Sequence, residues 1–110
     1  MTKLSDDTRL TETLVNSETL LQGSFLHVRR DTVRQPDGRL AQREYVVHPG
    51  AVVVIPLADD DRVVVERQYR HPVGRVMLEF PAGKLDPGED PLRCGQRELL
   101  EETGYRAAQW

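Results

Sequence analysis

Cysteine is nearly missing from this chain: one residue, Cys94, occurs in 110. No internal disulfide can form, and a reducing, cytoplasmic compartment is the expected setting. Apolar runs are short. None approaches the ~20 residues that a membrane-spanning helix needs, and the first residues, Met1-Thr2-Lys3-Leu4-Ser5-Asp6-Asp7, lack the apolar core of a signal peptide. Basic clusters are also missing. The fifteen Lys and Arg are scattered and the net charge is −3, which argues against a nucleic-acid footprint or a polybasic membrane patch. There are no repeats or low-complexity tracts. At this length the chain is one domain or part of one.

What is present reads as strands followed by one helix. Residues 1–10 are polar and expected to fray. A strand is expected over residues 11–21, though its alternation is poor, and another from Phe25 through Val33. Gln35-Pro36-Asp37-Gly38 is turn chemistry: Pro presets φ and Gly tolerates positive φ. Residues 40–47 then return as the second arm of a hairpin. After Pro49-Gly50, the run Ala51-Val52-Val53-Val54-Ile55-Pro56-Leu57 suits a strand buried on both faces. Asp59-Asp60-Asp61 forms a solvated hairpin tip; a calcium loop would need spaced ligands and a glycine. Its partner strand is expected over residues 63–70, and a further short strand over 76–80.

The helix has sharp boundaries. Asp90 is a good N-cap, Pro91 suits the first helical position, and Gly104 fits the C-terminal residue of positive φ. Leu92, Cys94 and Leu99 supply a face towards a sheet. Gly95 in their midst costs roughly 0.5–1 kcal/mol relative to Ala, which close packing on the sheet would explain. Glu98, Glu101 and Glu102 stand at i, i+3 and i+4, on one face. Three like charges so placed repel one another. A hard divalent cation reverses the sign, since Mg²⁺ takes oxygen ligands from one or two carboxylates and from substrate phosphates. Taken alone, the cluster is better explained as a solvated acidic face.

The spacing of the surrounding residues separates these alternatives. Gly83, Glu89, Arg97, Glu98, Leu99, Glu101, Glu102, Gly104 and Tyr105 fit G-x5-E-x7-R-E-U-x-E-E-x-G-U, where U is bulky and apolar. That pattern resembles the signature of the Nudix hydrolases. Gln68-Tyr69-Arg70-His71-Pro72, Glu79-Phe80-Pro81-Ala82-Gly83 and His48-Pro49-Gly50-Ala51-Val52 are similar to the ADP-ribose pyrophosphatase branch. The likeness runs from about residue 40 to residue 105 and is looser before that.

The resemblance implies an α/β Nudix fold, a mixed sheet carrying the signature loop and helix, incomplete at its C-terminus. Residues 1–45 would be an N-terminal strand segment on the side of a homodimer contact and the substrate base. Residues 46–110 would be the first part of the hydrolase domain, with the signature over 83–105. It implies Mg²⁺ or Mn²⁺ held by Glu98, Glu102 and the Ala82 carbonyl, with Glu101 sharing a metal or holding a water. Arg97 would fix Glu101 and offset negative charge. Glu89 would sit at the helix entrance, favoured by the helix dipole, and approach the metals. Arg70 would bind phosphate or ribose, a task suited to a bidentate guanidinium, with Glu79 and Arg43 as further substrate contacts. His48, His71 and Cys94 carry no such role.

The reaction implied is metal-dependent hydrolysis of ADP-ribose to AMP and ribose 5-phosphate. The alternatives are another nucleoside diphosphate sugar such as GDP-mannose, and a nucleotide-binding or inert fragment. In that branch a glutamate beyond the signature helix serves the attacking water. The chain stops at Trp110, so it resembles the N-terminal portion of a longer protein. Little activity and poor stability are expected of it alone.

Overall fold

Local turn chemistry sets the first hairpin. In the computed structural model, which describes residues 7–110, Gly38 has φ 89° and donates its N–H to the Gln35 carbonyl at 2.8 Å. This joins β2 (His27–Arg34) to β3 (Leu40–Val46). β1 (Thr13–Gln22) adds to the other edge of β2, giving an antiparallel sheet in the order β1-β2-β3. Register shifts near Val15 and Leu20 interrupt β1, which accounts for its poor alternation in sequence. Phe25, expected to open the second strand, lies outside it in the β1–β2 turn, 93% exposed. Both faces of this sheet carry polar side chains. Arg29 donates to Ser17 and Thr19, Tyr45 donates to Asp31, and Arg30 pairs with Glu18 and Glu44.

The contacts divide the chain into two units, one ending at His48 and the other beginning at Pro49. The second holds β4 (Ala51–Val53), β5 (Glu66–Arg70), β6 (Arg75–Glu79), β7 (Ala82–Lys84) and α1 (Pro91–Thr103). β4 pairs with β7 and β5 with β6. All ladders among the described residues are antiparallel. No helix among them is long and apolar enough to cross a membrane.

Three expectations are corrected here. The apolar run 51–57 is not one strand buried on both faces. Its ladder ends at Val53, opposite Ala82; beyond it the Val54 N–H donates to Pro81 O, the Val64 N–H donates to Pro56 O, and an isolated Leu57–Val63 bridge follows. Val54 and Pro56 are buried, whereas Val53, Ile55 and Leu57 are about two-thirds exposed. The buried side meets α1. A groove of about 1170 Å³ runs along this stretch, lined by Val54 and Ile55 of the run, Leu92 and Gly95 of α1, and Tyr105 and Trp110. The segment expected as its partner strand over residues 63–70 touches the run only near Val63; the strand itself, β5, starts at Glu66 and pairs with β6, and Leu92 lies half-exposed instead of facing the sheet. Asp59-Asp60-Asp61 does form a turn, with Asp61 at φ 63° and Asp60 bound to Arg62.

The helix matches its sequence limits. The Asp90 side chain accepts the Arg93 N–H at 3.2 Å, and Gly104, at φ 77°, donates to the Leu100 carbonyl. Cys94 and Leu99 are buried. A Cβ built on Gly95 would stand 3.5 Å from both Val54 and Trp110, so α1 packs close at this point. Docking α1 against β4 and β7 brings its carboxylates beside the Ala82–Gly83 backbone.

Candidate active site

Arg97 is the centre of the signature. It donates through Nε and Nη2 to both oxygens of Glu89, each at 2.9 Å. Its Nη1 reaches Glu98 at 2.9 Å and Glu101 at 3.3 Å, and Asp86 lies 3.6 Å from Nη2. The sequence points to Glu101 as its main partner, four residues along one helix face. The shorter bonds go to Glu89 and Glu98. Glu89 therefore ties the signature loop to α1 rather than merely standing at the helix entrance. The Asp86 amide also donates to it at 3.1 Å. Arg97 first, then that amide, hold the Glu89 carboxyl at about 2, and the same contacts push the Arg97 guanidinium up.

The sign of the resulting pH dependence follows from the depressed carboxyl. Its stabilisation is complete above the unfolded value of about 4.3 and is lost as pH falls through about 2. Thermal melting of the parent and of Glu89→Gln from pH 7 to pH 2 checks this. The parent is expected to melt higher at neutral pH, and the gap to narrow steadily below about pH 4.3. A constant gap down to pH 2 would refute it.

Glu98 lies over β7. A Cβ at Gly83 would stand 2.0 Å from its carboxyl carbon and 2.1 Å from Oε1, so glycine makes the cradle in which this carboxylate sits. Glu102 accepts the Ala82 N–H at 3.2 Å. Glu98, Glu102 and the Ala82–Gly83 backbone are thus brought together, with Glu101 more exposed on the same face.

The donors here are all oxygens, the chemistry a hard cation takes. Among the described residues, no three acidic, histidine or cysteine side chains gather closely enough to cage an ion by themselves. That suits Mg²⁺, which is usually bound through one or two carboxylates with water and phosphate completing its shell. The cradle and the donor chemistry both fit such an ion.

Arg70 and Glu79 bond to each other through two contacts, at 2.8 and 2.7 Å. The pairing raises the Arg70 pKa and lowers that of Glu79. Glu66 shares their face of the β5–β6 hairpin, directly opposite Glu79. Its carboxyl is pushed up by desolvation, then by a hydrogen bond and the like charge of Glu102. The sequence reading missed Glu66. The signal was its even spacing from Arg70, obscured by a strand expected to start at residue 63. Arg43 belongs to the first unit, where Glu12 binds it at 3.1 and 2.6 Å.

Comparison with known proteins fits this geometry. Residues 47–110 match the NUDIX domain and residues 12–46 the nucleoside diphosphate sugar hydrolase N-terminal domain. The chain belongs to the Nudix family. It is 42% identical to the methanol dehydrogenase activator of Bacillus methanolicus and 40% identical to the ADP-ribose pyrophosphatase of Bacillus subtilis (strain 168). Each comparison covers 89% of this chain and 53% of the relative. Identity to the ADP-ribose pyrophosphatase of Mycobacterium tuberculosis is 44%, over 87% of this chain and 47% of that one. A crystal structure of an ADP compounds hydrolase superposes with TM-score 0.75 at 28% identity, covering 89% of this chain and 54% of its own. The chain spans about half the length of these relatives.

Proposed function

We propose that this chain supplies the phosphate-handling part of an enzyme that hydrolyses the pyrophosphate of ADP-ribose to AMP and ribose 5-phosphate. The observation that carries the reading is the placement of Glu98 and Glu102 against Ala82–Gly83, held there by Arg97 and by the Ala82 amide. The names of the two pyrophosphatase relatives support the substrate. Mg²⁺ or Mn²⁺ is the cofactor, held by Glu98, Glu102 and the Ala82 carbonyl, with Glu101 beside them. Such an ion, when bound, neutralises the diphosphate and lowers the pKa of a bound water.

The remaining roles fall to the chain itself. Arg97 and Glu89 keep the carboxylates in place before substrate arrives, so no reorganisation is needed at the moment of reaction. Arg70, oriented by Glu79, binds phosphate or ribose through its guanidinium. Arg43 contacts substrate from the N-terminal strands, which also form a homodimer contact near the base. A reducing, cytoplasmic setting suits the Cys94 thiol.

The test is thermal melting of the 110-residue chain with Mg²⁺, with ADP-ribose, and with both, followed by chromatography for AMP. Both ligands together are expected to raise the melting temperature more than either alone. A ligand at a hundred times its Kd adds about 2.7 kcal/mol. Turnover by this chain alone is expected to be slight. No shift with the pair, or an equal or larger shift with GDP-mannose, would refute the ADP-ribose reading.

A further inference from the structure

Two arginines close the β5–β6 hairpin opposite each other. Arg70 ends β5, Arg75 begins β6, and the register pairs them directly. The Gly74 N–H donates to the Arg70 carbonyl at 2.8 Å, with Gly74 at φ 72°, so the turn returns the chain at this level. Residues directly opposite share a face, and like charges so placed destabilise the pairing.

Only one of the two charges is offset within the protein. Arg70 gives Nε and Nη2 to the two oxygens of Glu79, at 2.8 and 2.7 Å. Glu79 stands opposite Glu66, four residues before Arg70, so the Arg70 side chain runs along the face, away from the turn. Its Nη1 group keeps its N–H donors. Arg75 is exposed and makes no ion pair or side-chain hydrogen bond among the described residues. β6 continues from Glu79 through Phe80 and Pro81 to Ala82, whose amide donates to Glu102. The Arg70 guanidinium therefore lies at the end of the hairpin face that leads to the cradle of Glu98 and Glu102.

We propose that Arg75 is a second guanidinium for the substrate's diphosphate, closing with Arg70 on its phosphate oxygens from opposite strands. The inference rests on the reading of Arg70 as a phosphate contact. Arg75 starts level with Arg70 and has the same side-chain length, so it reaches as far along the same face. Like charge opposes that approach in the free protein. A phosphate between the two guanidiniums turns repulsion into attraction, and each fork can meet two of its oxygens.

Calorimetric titration of the 110-residue chain with ADP-ribose in the presence of Mg²⁺ tests this, beside melting without ligand. Arg75→Gln is expected to weaken binding about 10–100-fold, as for the loss of a hydrogen bond to a charged group. Its melting temperature should equal or exceed the parent's, because the cross-strand repulsion is gone. Arg75→Lys keeps the charge without the planar fork and should fall between. Arg67→Gln, opposite Leu78 on the other face, should bind as the parent does. Since both arginines hold one group, the double variant Arg70→Gln/Arg75→Gln should lose less than the product of the two single losses.

Parental binding by Arg75→Gln, with Arg70→Gln weakened, overturns the role of Arg75 and leaves that of Arg70 standing. Equal weakening in Arg67→Gln, or losses that multiply in the double variant, also overturns it. If Arg70→Gln binds as the parent does, or the parent binds no ADP-ribose, the reading of Arg70 falls with it. Should Arg75→Gln fail to fold, Arg75→Lys decides: weaker binding supports the role and parental binding overturns it.

Discussion

Replacing Glu98 and Glu102 together by glutamine is expected to lower Mn²⁺ or Mg²⁺ affinity at least about 100-fold, because residues one step further from a metal already cost 10–100-fold. The slight turnover expected of this chain should disappear with it. Glutamine keeps the size and one acceptor oxygen, so the bond from Ala82 N–H to residue 102 and that from Arg97 Nη1 to residue 98 can both persist. Removing two of three like charges at i, i+3 and i+4 relieves repulsion of about 0.2–0.5 kcal/mol per pair. That offsets part of the weakened attraction to Arg97, and the melting temperature should move little. Calorimetric titration with Mn²⁺ beside a melting curve separates the two effects. Glu101→Gln alone should cost less, since that side chain is 56% exposed and its bond to Arg97 is the longer one. A double variant that binds and hydrolyses like the parent would remove the cation platform from the account.

The parts of this fold that were legible in sequence are those fixed by neighbours in the chain. Asp90, Pro91 and Gly104 act within one turn of themselves, and they marked both ends of α1. Gln35-Pro36-Asp37-Gly38 likewise marked the first hairpin. The carboxylates were legible because helix geometry alone puts residues 98, 101 and 102 on one face. What sequence could not supply are pairings between distant segments. Arg97 prefers Glu89, eight residues back across a loop. Glu12 reaches Arg43 from 31 residues away, and Glu66 comes to stand opposite Glu79 across the β5–β6 hairpin. The run 51–57 misled for a related reason. An unbroken apolar string says that burial is possible, while the number of covered faces depends on what packs there. Here α1 covers one.

The same dependence on a distant neighbour makes Gly83 the most informative single position. Gly83→Ala adds one methyl group, and the backbone tolerates it: Gly83 is a strand residue opposite Val52, not one of the positive-φ glycines. The obstacle is Glu98, whose carboxyl carbon and Oε1 lie 2.0 and 2.1 Å from where the Cβ must go. These atoms end a flexible side chain, so the carboxylate can swing away while the strand stays paired. The stability cost should then fall near the lower end of the 1–3 kcal/mol typical of overpacking. At roughly 4–8 °C per kcal/mol for a small domain, that is a modest drop in melting temperature. Leaving the cradle, however, takes Glu98 from Ala82 and strains its bond to Arg97, so Mn²⁺ affinity should fall at least about tenfold, as for the loss of a residue supporting the metal. Gly95→Ala is the counterpart. Its new Cβ meets Val54 and Trp110 at an ordinary 3.5 Å, and a mid-helix alanine gains roughly 0.5–1 kcal/mol over glycine, so melting should rise with Mn²⁺ binding unchanged. If Gly83→Ala retains parental affinity, Glu98 does not act from that cradle.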